Sequence, residues 1–185
     1  MKILEQIKKY ETYDEQEEKD KKTMLKFIDT FEDVLTRNND FGHFTSSAWV
    51  VNKEKTKAIM IYHNIYDSWA WTGGHADGED DLLNVAIREV CEETGLRNVT
   101  PIVEDIFSLE VLCVNGHVKK EKYVSSHLHM NLTFLLEADE NEELYIKEDE
   151  NSGVKWFDLE EAVLISKEPW VKNIYQKIVN KMGDL

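Results

Sequence analysis

Cysteine and proline are nearly absent from this 185-residue chain, which has two of each. Two thiols cannot frame a disulfide scaffold; Cys91 and Cys113 could pair with each other, but the expectation is two buried cysteines of a reducing compartment. No run of about 18 apolar residues occurs, and no membrane-spanning helix is expected. Glu5 interrupts the N-terminus before an apolar h-region can form, so a cytoplasmic chain without a secretory leader is expected. Basic residues are also scarce, 22 against 37 acidic, for a formal charge of −15. Such a charge repels phosphate backbones and argues against a nucleic-acid partner. A small anion would need local help, for which a bound divalent cation is the obvious candidate.

What is present suffices for one domain with one core: 42% of the residues belong to the apolar types. Thr12 and Glu15 have the form of a capping box. Met24, Ile28, Phe31 and Leu35 then recur at helical spacing, giving an amphipathic helix that lies on the body. A homodimer contact through that stripe is the alternative. From Phe41 the pattern turns to strands, at 44–51 and 56–62, with a hairpin loop at 52–55. A helix is expected over 81–94, strands near 102–114 and 128–136, and a short strand at 154–157. Two helical segments, 159–164 and 169–181, close the chain. Residues 137–150 hold eight carboxylates in fourteen positions and read as an exposed loop.

The most informative stretch runs from Gly73 to Leu96. Wound at about 100° per residue, its second half puts Arg88, Glu89, Glu92 and Glu93 on one side. Leu83, Ala86, Ile87, Val90 and Cys91 fall on the other, expected to be buried. Like charges at these spacings oppose a helix by roughly 0.2–0.5 kcal/mol per pair. A hard divalent cation would turn that repulsion into binding. A solvated acidic face is the competing reading. Gly73 and Gly74 end a strand where backbone can approach a ligand, and Gly95 stands where a left-handed residue ends a helix.

Together these residues resemble the Nudix box, G-x5-E-x7-R-E-U-x-E-E-x-G-U, with U a bulky apolar residue. Gly74 opens it, and Arg88, Glu89, Val90, Glu92, Glu93, Gly95 and Leu96 match its second half. One position departs, since Asp80 stands where the pattern has its first Glu, with Glu79 just before it. The resemblance implies an α/β protein of the Nudix fold, a mixed β-sheet sandwiched between helices. Residues 1–39 would be an N-terminal helical extension and residues 40–185 the Nudix domain. It further implies Mg²⁺ or Mn²⁺ held by Glu89, Glu92 and Glu93, joined by the Gly73 carbonyl, with Arg88 orienting a glutamate.

The activity so implied is hydrolysis of the pyrophosphate linkage in a nucleoside diphosphate joined to another group, X. The general base would be Glu89 or a later-loop carboxylate, with Glu148 and Glu150 the candidates. Trp69 and Trp71 are read as facing opposite sides of one strand, each either in the core or stacked on a base. His75 is expected to meet a phosphate or to face solvent. His127 and His129 share a strand face, with no third partner that would make a zinc site. Two other functions stay open. One is a non-catalytic nucleotide sensor. The other is an isopentenyl diphosphate isomerase-like enzyme, whose early catalytic cysteine has no counterpart here.

Overall fold

The computed structural model describes residues 1–119 and 121–185. Two helices lead, α1 (Lys2–Lys9) and α2 (Glu15–Thr30). Asp14, rather than Thr12, caps α2: its carboxylate accepts the Glu17 N–H at 2.9 Å. Glu17 reaches back past the cap to accept the Tyr13 N–H at 2.8 Å, so the cap sits two residues later than expected. The helix also stops early, because Phe31 turns extended and stacks on Phe41 with ring centroids 5.4 Å apart. Met24 and Phe27 are buried, and Ile28, Phe31 and Leu35 pack against the same core. The stripe therefore packs on the body of this chain, as expected of an amphipathic helix lying on it.

The sheet is built from β1 (Gly42–Val51), β2 (Lys57–His63), β3 (Ser68–Ala70) and β4 (Thr72–His75), then β5 (Val99–Pro101), β6 (Ser108–Val114), β9 (His127–Ala138) and β10 (Asn151–Asp158). A small hairpin, β7 (His117–Lys119) and β8 (Lys122–Val124), stands apart. The order is β10-β2-β1-β9-β5, with β3 on β2, β4 on β1 and β6 on β9. Among the described residues only β1 and β9 run parallel, from Gly42 beside Leu128 to Val51 beside Glu137, so the sheet is mixed. The helix α3 (Leu82–Thr94) follows β4, and α4 (Leu159–Ile165) and α5 (Pro169–Met182) end the chain.

Strand alternation sorts the core into two layers. Phe44, Ala48 and Val50 of β1 and Met130, Leu132 and Phe134 of β9 join a core with residues of α1, α2 and α3. Trp49, Val51 and Leu135 join a second core with α4 and α5. The sheet thus lies between two sets of helices, as expected of the fold. The acidic stretch is less exposed than its composition implies. Tyr145 donates its N–H to the Thr94 carbonyl at 2.8 Å, and Glu142 accepts the Arg97 N–H at 2.9 Å, which folds this loop over the end of α3. Both cysteines are free, but Cys113 is exposed and Cys91 only half-buried, against the expectation of burial. Among the described residues no helix is long and apolar enough to cross a membrane.

Candidate functional site

The strand β4 and the helix α3 make the site between them. Gly95 takes φ 79° and ends α3, its N–H bonded to the Cys91 carbonyl at 3.0 Å. The buried face of α3 is Leu82, Val85, Ala86, Val90, Glu93 and Thr94, rotated from the expected one. Glu93 is the informative member. It is 3% exposed and accepts the Gly73 N–H at 3.0 Å. Burial pushes its carboxyl up to about 8, against the pull of that N–H. Burial, and then the charge of Glu92, also raise Glu89.

Gly74 lets this happen. A Cβ at that position would come within 2.5 Å of Glu89 Oε1, so the bare backbone is what admits the carboxylate. Arg88 donates to Glu79 at 2.7 Å and reaches Glu89 at 3.9 Å. Glu79 therefore supplies the acid that pairs with the box arginine. Asp80, which occupies the pattern's Glu position, instead accepts the Lys2 N–H at 3.1 Å and ties down the start of α1.

The loop before β10 brings a fourth carboxylate. Lys147 lies 3.1 Å from Glu92 and 3.0 Å from Glu150, and the charge of Glu150 is felt by both Glu89 and Glu93. Glu148, on the same turn, is exposed. Of the two loop candidates the structure brings Glu150 to the cluster. These surroundings fit a hard divalent cation: crowded oxygen donors, one carboxyl desolvated, and an ammonium already drawn between two others.

Beside Gly73 and Glu93 opens a cleft of about 620 Å³. Trp69 and Trp71 both line it, which corrects the reading that set them on opposite faces. Residues two apart share a strand face, and here the strand also breaks between them into β3 and β4. Trp69 packs edge-on against Phe157 at 4.8 Å, and Trp71 donates its backbone N–H to the Tyr175 hydroxyl at 3.0 Å. Both are anchored on the core by one side and half-exposed on the other.

The polar floor of the cleft was not anticipated. Thr45 and Ser47 of β1 each donate to Asn131 Oδ1 at 2.9 Å. His75 lines the cleft at the end of β4, and His129 lines it from β9. The histidines also correct the view that His127 and His129 lack a third partner. His43 pairs with His129 across β1 and β9, and His75 approaches from β4 on the other side of β1. The ring centroids of His43 and His75 are 5.1 Å apart, and those of His43 and His129 5.0 Å. Burial, reinforced by the neighbouring histidines, holds His43 down at about 4 and His129 at about 2.

Residues 42–178 match the family model of the NUDIX domain. Similar solved structures include a C. elegans Ap4A hydrolase in a binary complex, 20% identical with a TM-score of 0.56, over 77% of this chain and 98% of that one. A Nudix hydrolase of M. smegmatis, RenU, aligns at 13% identity and TM-score 0.57, over 82% and 94%. The E. coli dihydroneopterin triphosphate pyrophosphohydrolase aligns at 14% and 0.53, over 74% and 94%. At such identities the likeness is one of fold. No curated protein matches the sequence. With the family model spanning most of its length and the box folded as a loop, helix and glycine stop, the chain belongs to the Nudix family of hydrolases.

Proposed function

We propose that the protein hydrolyses the pyrophosphate linkage of a nucleoside diphosphate joined to a second group, using Mg²⁺ or Mn²⁺. The observation that carries this is the gathering of four carboxylates at the edge of the cleft: Glu93 on Gly73, Glu89 against Gly74, and Glu92 and Glu150 on either side of Lys147. When bound, the cation would neutralise non-bridging phosphate oxygens and acidify a water. Glu89, Glu92 and Glu93 would hold it together with the Gly73 carbonyl. Arg88 keeps Glu89 in place through its contact at 3.9 Å while Glu79 fixes the guanidinium. Glu150 accepts the proton of the attacking water, and Lys147 positions it at 3.0 Å. Trp69 and Trp71 offer ring faces on which a base can stack, and Thr45, Ser47 and Asn131 offer polar groups deeper in the cleft.

The test is product release from a panel of nucleoside diphosphate derivatives with Mg²⁺, with Mn²⁺ and with EDTA. Cleavage of one class, abolished by EDTA and restored by Mg²⁺, is the expected result. Silence across the panel, with Mg²⁺ still bound, would replace hydrolysis by nucleotide sensing. A second expectation concerns Gly74. In Gly74→Ala the new methyl must displace the Glu89 carboxylate, the mobile end of a side chain, so the fold tolerates it. Turnover should drop by about 10²-fold, the cost of roughly 1 Å of misplacement at a reacting centre. An unchanged kcat in a variant with an unchanged melting temperature would remove Glu89 from the site.

A further inference from the structure

All six histidines of the chain, His43, His63, His75, His117, His127 and His129, line one cavity of about 280 Å³ that adjoins the cleft. Sequence separation gives no reason for this, since they come from β1, β2, β4, β7 and β9. The sheet gathers four of them. In β1 and β9 the side chains of His43, Thr45 and Ser47 share a face with those of His127, His129 and Asn131, and β4 adds His75 at the edge. One ring nitrogen each of His43, His75 and His129 lie within 4.8 Å of one another.

His43 is the telling member. It is 4% exposed, and neither ring nitrogen makes a hydrogen bond of good geometry among the described residues, although the Asn39 backbone lies close enough to attract it. A buried polar nitrogen left unsatisfied costs about 1–3 kcal/mol, and an imidazole has two, so a ring this poorly satisfied calls for a further partner. Its ring is about 5 Å from those of His75, His127 and His129, which surround it. His127 is oriented from behind, its Nδ1 on the Ser125 carbonyl at 2.9 Å, the arrangement that fixes the tautomer of a ligating histidine. Its Nε2 then faces His129 Nε2 at 3.2 Å. Two nitrogens on one tetrahedral ion stand at about this spacing, given metal–nitrogen bonds of about 2.0–2.1 Å.

We propose that His43, His75 and His129 bind a divalent transition-metal ion of the zinc type, at a site separate from the carboxylate cluster and opening on the substrate cleft. Imidazole nitrogens suit zinc, while Mg²⁺ and Mn²⁺ favour the oxygens of the glutamates, so the two sites select different ions. Drawing the three nitrogens from 4.8 Å to tetrahedral spacing needs only small rotations of His75 and His129, which are half-buried at the cavity wall. Three histidines leave one position for water, for His127 or for a phosphate oxygen of a molecule in the cleft. The site would then offer a second cationic centre to an anionic substrate, in a protein whose surface repels one.

The test needs no substrate, so its failure is independent of the hydrolase reading. Full-length protein stripped with chelator is titrated with Zn²⁺ by calorimetry and with Co²⁺ by visible absorption, in a large excess of Mg²⁺. One Zn²⁺ per chain and the intense bands of four-coordinate Co²⁺ are expected. Changing an orienting group beyond the ligands already lowers metal affinity about 10–100-fold, so His75→Gln and His129→Gln should each lower it by more than about 100-fold. These positions are chosen because His43, deep in the sheet, is the variant at risk of misfolding. Glu92→Gln should keep the stoichiometry. The proposal fails if no Zn²⁺ binds beside excess Mg²⁺. It fails equally if Glu92→Gln loses the ion while the histidine variants retain it.

Discussion

Glu93→Gln is expected to lower kcat by about 10²–10³-fold while the protein remains folded, the scale of losing one preorganised electrostatic group at a reacting centre. Glutamine has the shape of glutamate and keeps an oxygen to accept the Gly73 N–H now bound at 3.0 Å. What disappears is the charge, which a cation between α3 and β4 requires. Stability should move little or in the opposite direction. The folded carboxyl is raised to about 8 from an ordinary 4.5, so in the metal-free protein its contribution worsens as pH rises from about 4.5 to about 8. The glutamine variant escapes that cost and should melt no lower than the parent at about pH 9. Steady-state kinetics at saturating Mg²⁺, with melting curves of both proteins in EDTA, check the two halves together. A kcat within a few-fold of the parent would show that Glu93 merely closes the end of α3.

Glu93 also marks how far the sequence was legible. Helical winding alone grouped it with Glu89 and Glu92 on an open face, because a wheel carries no information about what packs behind β4. The box pattern named the same residue and was indifferent to its burial. The long strands, α3 and both terminal helices were readable from apolar periodicity and from Gly95, but the short β5, β7 and β8 were missed, and the strand expected from 102 begins only at Ser108. The helix α1 was missed as well, since its eight residues carry only two buried side chains, Ile3 and Ile7. The polar floor was written in the chain as strict alternation: His127, His129, Asn131 and Thr133 interleave with Leu128, Met130, Leu132 and Phe134. A strand with one apolar and one polar face normally puts the latter in water. Here it lies under α5 and the cleft, and only the parallel pairing of β1 with β9 makes His43 a neighbour of His129. Long-range register was the missing information.

Glu17, in α2, is where a replacement should produce the largest loss of stability. It is 0% exposed. Its carboxylate lies 3.0 Å from Lys177 and 3.8 Å from Lys181, and accepts from the Tyr10 hydroxyl at 2.7 Å and from Ser108 at 2.9 Å. Lys177 in turn lies 3.1 Å from buried Glu110, whose other oxygen accepts from Asn131 at 3.1 Å and Thr133 at 2.9 Å. One network therefore joins α2, α5, β6 and β9 and runs to Asn131 in the floor of the cleft. Removing one partner of a buried ion pair costs about 3–5 kcal/mol, and here Lys177 would be left to share Glu110 alone while Lys181 loses its carboxylate. Glu17→Ala should lose that much in urea unfolding near pH 7. Glu17→Gln should lose less, since it keeps the acceptor for Tyr10 and Ser108. Burial pushes the Glu17 carboxyl up, but Lys177, the Tyr13 N–H, Tyr10 and Lys181 outweigh it and hold the group below its ordinary 4.5. A carboxylate depressed in the folded state contributes fully above the unfolded value and loses that contribution as pH falls through the folded one. The gap between parent and Glu17→Gln should be widest at neutral pH and narrow below about 4.5. A gap that stays constant down to about pH 3 would mean that packing, not charge, holds α2 to the sheet. Because the network ends at Asn131, loosening α2 should also raise KM before it lowers kcat, tying the leading helices to substrate binding through the cleft floor.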